Sequence, residues 1–288
     1  MTKKILIFGS SGLIGNNLAK YLISKRQKII LAKRTRKTKR SNHINFLIHN
    51  DLSNKNDWSS LEIEIIKLKP DLIINATGVT KHNLDKKNMN IINIQFPKFL
   101  LKVASKNKLK LIHLSTDCIF DGKKGNYKEN SKSNAKDYYG ISKAICENQL
   151  RNNKNCLILR TSIVGHEIKS KNGILEWFLN SKQKIYGYQN AFFTGPTALE
   201  LSKIIYKIIK TKPKLSGIYN IGGEKISKYD LLILINEIYQ SNKKIYKNVN
   251  FKINRSLNIK KIQEEIKYKL KNWETMLLEQ KKFYDKYF

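Results

Sequence analysis

Short runs that are apolar at every position alternate with longer segments of helical periodicity through the first half of the chain. Such short apolar runs are typical of parallel strands that are buried on both faces of a sheet. The predicted strands are residues 5–8, 28–32, 46–48, 71–76, 109–114 and 156–160, and the predicted helices are 16–24, 61–68, 91–105 and 138–150. Strands that alternate with helices predict an α/β fold with a Rossmann-type, doubly wound parallel sheet.

The pattern becomes less regular after residue 165. Helical spacing recurs near residues 173–179, 198–209, 228–239 and 273–282. With 288 residues, the chain is long for one domain and short for two. We therefore predict a dinucleotide-binding Rossmann domain over residues 1–165. A smaller C-terminal α+β domain over 166–288 would bind substrate, with some segments returning to the Rossmann sheet.

A glycine-rich loop joins the first predicted strand to the first helix. Its glycines are Gly9, Gly12 and Gly15, and Ser11, Leu13 and Ile14 lie between them. The first glycine permits a tight turn, the second lets the backbone approach a pyrophosphate, and the third lets helix and strand pack closely. A helix N-terminus that follows such a loop offers free N–H groups to phosphate. The loop therefore predicts dinucleotide binding.

The end of the second predicted strand bears on the choice of cofactor. Folds that bind NAD usually place an Asp or Glu there for the ribose 2′-hydroxyl, whereas this chain has Arg34 and Arg36. Two guanidinium groups can hold a 2′-phosphate, which favours NADPH and leaves NADH open. Alternatively, both arginines belong to a general basic surface. Asp51 and Leu52, after the third strand, are expected to border the adenine.

The chain is strongly basic. It has 56 Lys and Arg against 22 Asp and Glu, a formal net charge of +34. This balance invites a nucleic-acid interpretation, but the lysines are dispersed and no RNA-binding, zinc-knuckle or helix-turn-helix motif is present. We therefore expect no specific nucleic-acid partner, and only salt-sensitive, non-specific binding. The excess charge should attract anions such as a nucleotide diphosphate.

Cysteine usage and hydropathy indicate the compartment. Cys118, Cys146 and Cys156 form no Cys-x-x-Cys pair, so neither a disulfide framework nor a metal site is predicted. The N-terminus lacks the apolar segment of a signal peptide, and no apolar run is long enough to span a bilayer. We expect a cytoplasmic protein with no membrane partner.

Tyr139 and Lys143 form the main catalytic candidate. Side chains four residues apart on a helix share one face, so both can point into one cleft. A nearby ammonium group favours the phenolate, and a tyrosine pKa lowered by about 3 units would suit proton transfer at neutral pH. The strand before this helix ends at Ser115 and Thr116, where doubly wound sheets place ligands. Either Thr116 or Ser115 would supply a hydroxyl that orients a carbonyl group.

These motifs together resemble the extended short-chain dehydrogenase/reductase superfamily and, within it, the dTDP-4-dehydrorhamnose reductase family. The resemblance covers nearly the whole chain and rests on the combination of motifs. The matching segments are residues 9–15, 75–78, 115–117 with 120–122, 139–143, 160–162, 195–197 and, more weakly, 254–258.

The resemblance implies a catalytic set of Thr116, Tyr139 and Lys143. It implies NADPH, or sometimes NADH, as hydride donor and a nucleotide-activated 4-keto-6-deoxysugar as substrate, for the synthesis of surface polysaccharide precursors. A homodimer is compatible with it. Further cofactor contacts are expected from Ala76, Thr77 and Gly78, and substrate contacts from Ser115, Asp117, Thr161, His166 and Arg255.

Two positions depart from the family pattern, and several residues have two interpretations. Cys118 and Ile163 stand where the family often has an aromatic residue and Trp, so the hexose stays open, as do an acetamido sugar and a UDP carrier. His82 either faces substrate or is a solvated loop residue. Arg255 either binds diphosphate or forms a surface ion pair. His113 shows no metal-ligand spacing with other histidines.

Two rival functions use the same fold. One is a sugar-nucleotide epimerase or dehydratase with tightly bound NAD, which the absent carboxylate after Ala32 disfavours. The other is a non-catalytic regulatory subunit, since the family resemblance includes a subunit that modulates another enzyme. The intact set of Thr116, Tyr139 and Lys143 disfavours this second rival.

Overall fold

The computed structural model describes residues 3–33, 44–49, 51–80, 85–168, 171–212 and 214–288. Its strands are β1 (Lys4–Phe8), β2 (Lys28–Lys33), β3 (Ile44–Ile48), β4 (Leu72–Asn75), β5 (Lys110–Thr116), β6 (Cys156–Thr161), β7 (Ile185–Phe193), β8 (Gly217–Asn220), β9 (Ile226–Ser227) and β10 (Ile245–Asn254). Its α-helices are α1 (Leu13–Ser24), α2 (Trp58–Leu68), α3 (Lys86–Asn90), α4 (Phe96–Lys106), α5 (Tyr138–Leu150), α6 (Ile174–Asn180), α7 (Ala198–Thr211), α8 (Lys228–Ile238), α9 (Lys260–Ile266) and α10 (Trp273–Tyr287).

The central sheet has seven strands in the order β3-β2-β1-β4-β5-β6-β8. Every pairing in it is parallel. The order reverses between β1 and β4, which is where such sheets open a crevice for ligands. The predicted Rossmann-type fold is confirmed.

Two apolar clusters cover the two faces of this sheet. Alternate residues of each strand point to opposite faces, so Ile5 and Ile7 join one cluster while Leu6 and Phe8 join the other. The first cluster takes in the apolar faces of α1, α7 and α9, and the second those of α2, α4 and α5. Burial on both sides explains why these strands are apolar at every position.

The C-terminal half contributes strands to both sheets, the central one and a smaller one. Its small sheet has the order β10-β7-β9, and a third apolar cluster joins it to α6, α8 and α10. β8 leaves this region and pairs with β6 in the central sheet. The predicted return of C-terminal segments to the main sheet is thus observed, whereas the division at residue 165 stays a prediction.

The helix predicted over residues 91–105 is interrupted. Ile91–Gln95 forms a π-helical turn between α3 and α4, and Pro97 is the second residue of α4. Within this turn Asn93 is buried and exchanges two hydrogen bonds of 2.9 Å with the backbone of Val79. These two bonds hold the Asn93 amide against the loop after β4, and π-helical turns are frequent at functional sites.

None of the helices in the described ranges combines the length and the apolar composition that a membrane span requires.

Candidate active site

A cavity of about 470 Å³ opens at the carboxyl ends of β1, β4, β5 and β6. Its walls come from the glycine-rich loop, the loop after β4, the end of β5 and the start of α5. The predicted site residues on these walls are Gly12, Leu13, Ile14, Ala76, Thr77, Gly78, Ser115, Thr116, Asp117, Tyr139, Lys143 and Thr161. Most of the predicted cofactor and catalytic residues therefore meet in one cleft.

The glycine-rich loop is shaped by close backbone packing. Gly9 has a positive φ of 76°, and an added Cβ there would lie 2.5 Å from the Ala76 carbonyl oxygen. A Cβ on Gly15 would lie 2.2 Å from the Gly9 carbonyl oxygen, so neither position accepts a side chain. Helix α1 begins just after Gly12 with no side-chain cap. Its N-terminus is therefore open to an anion in the cleft.

The residues predicted around the adenine and the 2′-phosphate of the cofactor are only partly described. Arg34 and Arg36, like His82, lie outside the described residues. Asp51 and Leu52 line a separate cavity of about 170 Å³ beyond β3, together with Trp58. Ser11 is exposed at the tip of the glycine-rich loop.

Thr116 and Tyr139 meet across the cleft. Both residues line the same cavity, and the Thr116 side chain lies close enough to lower the pKa of the Tyr139 phenol. Thr116 is the last residue of β5, and its hydroxyl accepts from the Cys118 N–H at 3.1 Å. Tyr139 stands in the first turn of α5, which Asp137 caps by accepting from the Gly140 N–H at 2.8 Å. The end of β5 thus positions Thr116, and the capped first turn of α5 positions Tyr139.

The expected activation of Tyr139 is wrong for the ligand-free protein. Burial raises the pKa of Tyr139, and the neighbouring Cys118 and Asp117 raise it further, while the hydrogen bond with Thr116 offsets this only in part. Lys143 Nζ is engaged elsewhere, because it donates to the Leu114 carbonyl oxygen at 2.7 Å. The phenol therefore keeps its proton, which is the form that a proton donor needs.

Lys143 has a second buried neighbour that the sequence did not suggest. Its Nζ lies 3.3 Å from His113 Nε2, and His113 Nδ1 lies 3.2 Å from the Asn75 amide nitrogen. Burial lowers the pKa of Lys143 and holds the pKa of His113 well below its usual range, and a positive charge on Lys143 would lower the pKa of His113 further. His113, for which the sequence predicts no role, thus contacts a candidate catalytic residue.

We expect the free energy of unfolding to fall as the pH falls below 6.5, the ordinary pKa of histidine. The folded-state pKa of His113 is depressed, so in this window the unfolded chain binds a proton that the folded protein excludes. The contribution approaches about 1.4 kcal/mol per pH unit. Urea unfolding at several pH values measures it, with His113→Asn as the non-titrating control. An equal pH dependence in protein and variant would contradict the assignment.

Ser115 does not share the role of Thr116. Its hydroxyl donates to Glu147 Oε1 at 2.5 Å, on the α5 side of the strand. Glu147 in turn accepts from Arg160 Nε at 3.0 and 3.1 Å and from a terminal guanidinium nitrogen at 2.7 Å. The hydroxyl of Ser115 is held by a buried ion pair, whereas that of Thr116 donates to Asp117 Oδ1 at 3.3 Å. Of the two hydroxyl groups left open by the sequence, Thr116 therefore stays the candidate.

His166 is placed away from the cleft. Its Nδ1 lies 2.6 Å from Glu176 Oε1, its Nε2 lies 2.9 Å from the Tyr239 hydroxyl, and its ring stacks on Tyr284. It therefore joins α6, α8 and α10 and does not act as a substrate residue, which corrects that prediction. Its sequence neighbour Glu167 is the one on the cavity wall.

Arg255 lies behind the cleft wall. It donates through Nε to the Phe120 carbonyl oxygen at 3.0 Å, and a second nitrogen lies 3.5 Å from Cys118 Sγ. Its charge partly offsets the burial that raises the pKa of Asp117. Arg255 is therefore neither a surface ion pair nor on the cavity wall. Thr161 is on the wall, and its hydroxyl donates to the Ser162 carbonyl oxygen at 2.7 Å.

A family model described as the RmlD substrate binding domain matches residues 3–284. A dTDP-4-dehydrorhamnose reductase of Aggregatibacter actinomycetemcomitans is 31% identical over 243 residues, which cover 81% of this chain and 78% of that protein. Methionine adenosyltransferase 2 subunit beta of Xenopus tropicalis is 23% identical over 245 residues, which cover 80% and 70%.

Solved structures share the fold. A dTDP-4-dehydrorhamnose reductase of Bacillus anthracis in complex with NADP superposes with a TM-score of 0.78 at 17% identity, over 97% of this chain and 98% of that one. The Bordetella bronchiseptica enzyme WbmG in complex with NAD and UDP superposes with a TM-score of 0.80 at 19% identity, over 100% and 96%.

Proposed function

Because the chain belongs to the RmlD substrate binding domain family, we propose that it is an NADPH-dependent reductase of a nucleotide-activated sugar. The reaction is reduction of the 4-keto group of a 6-deoxyhexose, which supplies precursors of surface polysaccharide. The relative from Aggregatibacter actinomycetemcomitans carries this type of name at 31% identity.

One observation carries the proposal: Thr116 and Tyr139 line the same cleft as the glycine-rich loop, close enough for the Thr116 side chain to lower the pKa of Tyr139. A carbonyl oxygen placed beside both hydroxyl groups can accept a hydrogen bond from each. Such donors stabilise the negative charge that grows on the oxygen as the carbon is reduced. The geometry thus favours reduction of a carbonyl group.

The cleft fits a dinucleotide. The uncapped N-terminus of α1 and the bare backbone at Gly12 suit a pyrophosphate, and the Ala76–Gly78 backbone continues the wall towards Thr116. When bound, the nicotinamide supplies the hydride. Gly12 is the glycine of this loop on the cavity wall, so the backbone there is bare towards the phosphates.

The protein's own residues manage the proton. Thr116 orients the carbonyl oxygen, and Tyr139, which burial keeps protonated, donates its phenolic proton to that oxygen. The phenolate that remains needs a neighbouring positive charge. Lys143, one helical turn further along α5, supplies this charge once it turns from Leu114 towards the cleft.

A regulatory subunit remains the second candidate, because methionine adenosyltransferase 2 subunit beta matches 80% of the chain. The presence of Thr116, Tyr139 and Lys143 in one cleft favours catalysis.

Turnover tests the proposal. The purified protein is incubated with NADPH and a panel of dTDP- and UDP-linked 4-keto-6-deoxysugars, and NADPH oxidation is followed by absorbance with identification of the product. We expect stoichiometric conversion of at least one keto sugar to the alcohol. If the protein retains NAD and converts the sugar without net oxidation or reduction, it is an epimerase or dehydratase. If no sugar is converted, the result supports the regulatory subunit.

We expect NADPH to bind more tightly than NADH, because Arg34 and Arg36 stand where an acidic residue would select NAD. Changing both to Ala should abolish the preference by weakening NADPH binding alone. Fluorescence titration measures both dissociation constants, with Arg26→Ala, at the opposite end of β2, as the matched control. Equal dissociation constants in the unmodified protein would contradict this prediction.

A further inference from the structure

Lys143 stands at the end of a buried chain of polar groups that starts on β4. The Thr77 N–H and hydroxyl donate to Asn75 Oδ1 at 3.1 and 2.6 Å. The Asn75 amide nitrogen lies 3.2 Å from His113 Nδ1, and His113 Nε2 lies 3.3 Å from Lys143 Nζ. Asn75 and His113 are fully buried and Lys143 is 3% exposed. These side chains must therefore satisfy one another.

The Thr77 backbone fixes where the hydrogens of this chain lie. A backbone N–H can only donate, so the group that faces it is the Asn75 oxygen, and the Asn75 NH₂ must face His113. His113 Nδ1 therefore accepts a hydrogen bond and carries no proton. The imidazole is neutral, and its single N–H is on Nε2.

Lys143 consequently meets a donor where an ammonium group needs an acceptor. An ammonium has three N–H donors and no lone pair, yet Nζ has one acceptor, the Leu114 carbonyl oxygen at 2.7 Å, and the His113 Nε2–H beside it. A neutral amine matches both neighbours: its lone pair accepts from His113 and one of its N–H groups donates to Leu114.

Burial lowers the pKa of Lys143, and the neighbouring Cys146 and Glu147 offset this only in part. Glu147, one turn along α5, is paired with Arg160 and accepts from Ser115. Neither polar partner of Lys143 Nζ in the described part of the chain is a carboxylate. A buried ammonium without a counter-ion is strongly disfavoured.

The remaining titratable neighbours do not supply that counter-ion. Burial raises the pKa of the Cys146 thiol, 3.5 Å from His113 Nε2, to about 12, so it stays neutral. Burial also raises the pKa of Tyr139, and that of Asp117, whose charge faces Arg255. Burial lowers the pKa of Lys143 itself.

We propose that His113 is a positioning residue that holds Lys143 as a neutral amine in the ligand-free protein, and that Lys143 takes up one proton when the nicotinamide ribose enters the cleft. The proton comes from solvent and binds the amine lone pair, which is released as Nζ turns from His113 towards the ribose hydroxyls. No other bond forms or breaks. The identity of the ligand rests on the proposed function, whereas the neutral state of Lys143 in the ligand-free protein depends on this chain alone.

Proton uptake couples affinity to pH. A ligand that binds the ammonium form binds less tightly as the pH rises above the pKa of Lys143 in the free protein, by about tenfold per pH unit. This dependence ends above the pKa of Lys143 in the complex. Within the window, about one proton is taken up for each ligand bound.

Nitrogen-15 NMR of the ligand-free protein tests the first half. With labelled histidine and lysine, we expect His113 to show a protonated Nε2 and an unprotonated Nδ1, and Lys143 to show an amine nitrogen at neutral pH. A His113 with a proton on Nδ1, or a Lys143 ammonium at neutral pH, would overturn the proposal. Neither measurement requires turnover or cofactor binding.

Calorimetric titration with NADPH in buffers of different ionisation enthalpy tests the second half. We expect uptake of about one proton. Asn75→Asp should remove it, because a carboxylate accepts from both Thr77 and His113 Nδ1, moves the imidazole proton to Nδ1 and leaves Nε2 to accept from a permanent Lys143 ammonium. Cys146→Ala is the control, since it also borders His113 Nε2 but leaves the chain intact.

The outcomes separate this proposal from the proposed function. Binding without proton uptake in the unmodified protein overturns the proposal. Loss of uptake in Cys146→Ala also overturns it, because that result would show that the His113 Nε2–H donates to the Cys146 thiol and not to Lys143. If neither NADPH nor NADH binds, the proposed function fails while the NMR result on the ligand-free protein still decides the state of Lys143.

Discussion

Tyr139→Phe lowers kcat by about 10²–10⁴-fold, the usual contribution of a placed proton donor, and leaves NADPH binding nearly unchanged. The substitution keeps the ring and removes only the phenolic hydroxyl, the group whose pKa the neighbouring Thr116 lowers. Steady-state kinetics with a 4-keto sugar nucleotide, under conditions where chemistry limits the rate, measures the loss, and fluorescence titration measures cofactor affinity. Near-normal kcat would show that another group donates the proton.

The neighbouring substitutions distinguish the roles within the set. Lys143→Ala should lower both kcat and cofactor affinity, and combining it with Tyr139→Phe should cost far less than the product of the two effects, because the residues act as a unit. Thr116→Val should cost less than Tyr139→Phe but should not be rescued by Ser115, whose hydroxyl is bound to Glu147. Tyr138→Phe, one residue before the proposed donor, is the matched control.

Arg160→Met lowers the free energy of unfolding by about 3–5 kcal/mol, the range found when one partner of a buried ion pair is removed. The side chains of Arg160 and Glu147 are 4% and 3% exposed, and their closest N–O distance is 2.7 Å. The change leaves the Glu147 carboxylate buried with the Ser115 hydroxyl as its remaining side-chain donor. Urea unfolding measures the loss.

The double change Arg160→Met with Glu147→Leu is the control for this interpretation. Replacing both partners by apolar side chains removes the unpaired charge, so it should destabilise less than Arg160→Met alone. A double variant that is less stable than the single one would show that the pair contributes through packing and through the carbonyl groups that Arg160 also binds, such as that of Glu129.

The sequence predicted the central strands because burial on both faces leaves them apolar at every position, as in Ile5–Phe8. It did not predict β7 or β10. Their sequences are polar at many positions because one face or one edge is open to solvent, and β10 is exposed along most of its length. Such strands lack a distinctive periodicity. The π-turn at Ile91–Gln95 equally left no periodic signal.

The catalytic candidates were predictable because they occur at fixed spacing in one helix and at one strand end. The groups that hold them were not, because their contacts depend on strand register. Asn75 pairs with His113 across β4 and β5, and Ser115 pairs with Arg160 across β5 and β6. The available signal was the interruption of an apolar strand by polar residues at alternate positions, His113 and Ser115, which face α5.

The return of β8 to the central sheet has a consequence for synthesis on the ribosome. β6 is buried along its whole length and is covered on its outer edge by residues 217–220, while α7, which covers part of the sheet, begins only at Ala198. A nascent chain that has emerged as far as β6 therefore exposes an unpaired apolar strand edge until some sixty further residues follow. Such an edge recruits other chains, so this protein should depend on chaperones during translation more than after release.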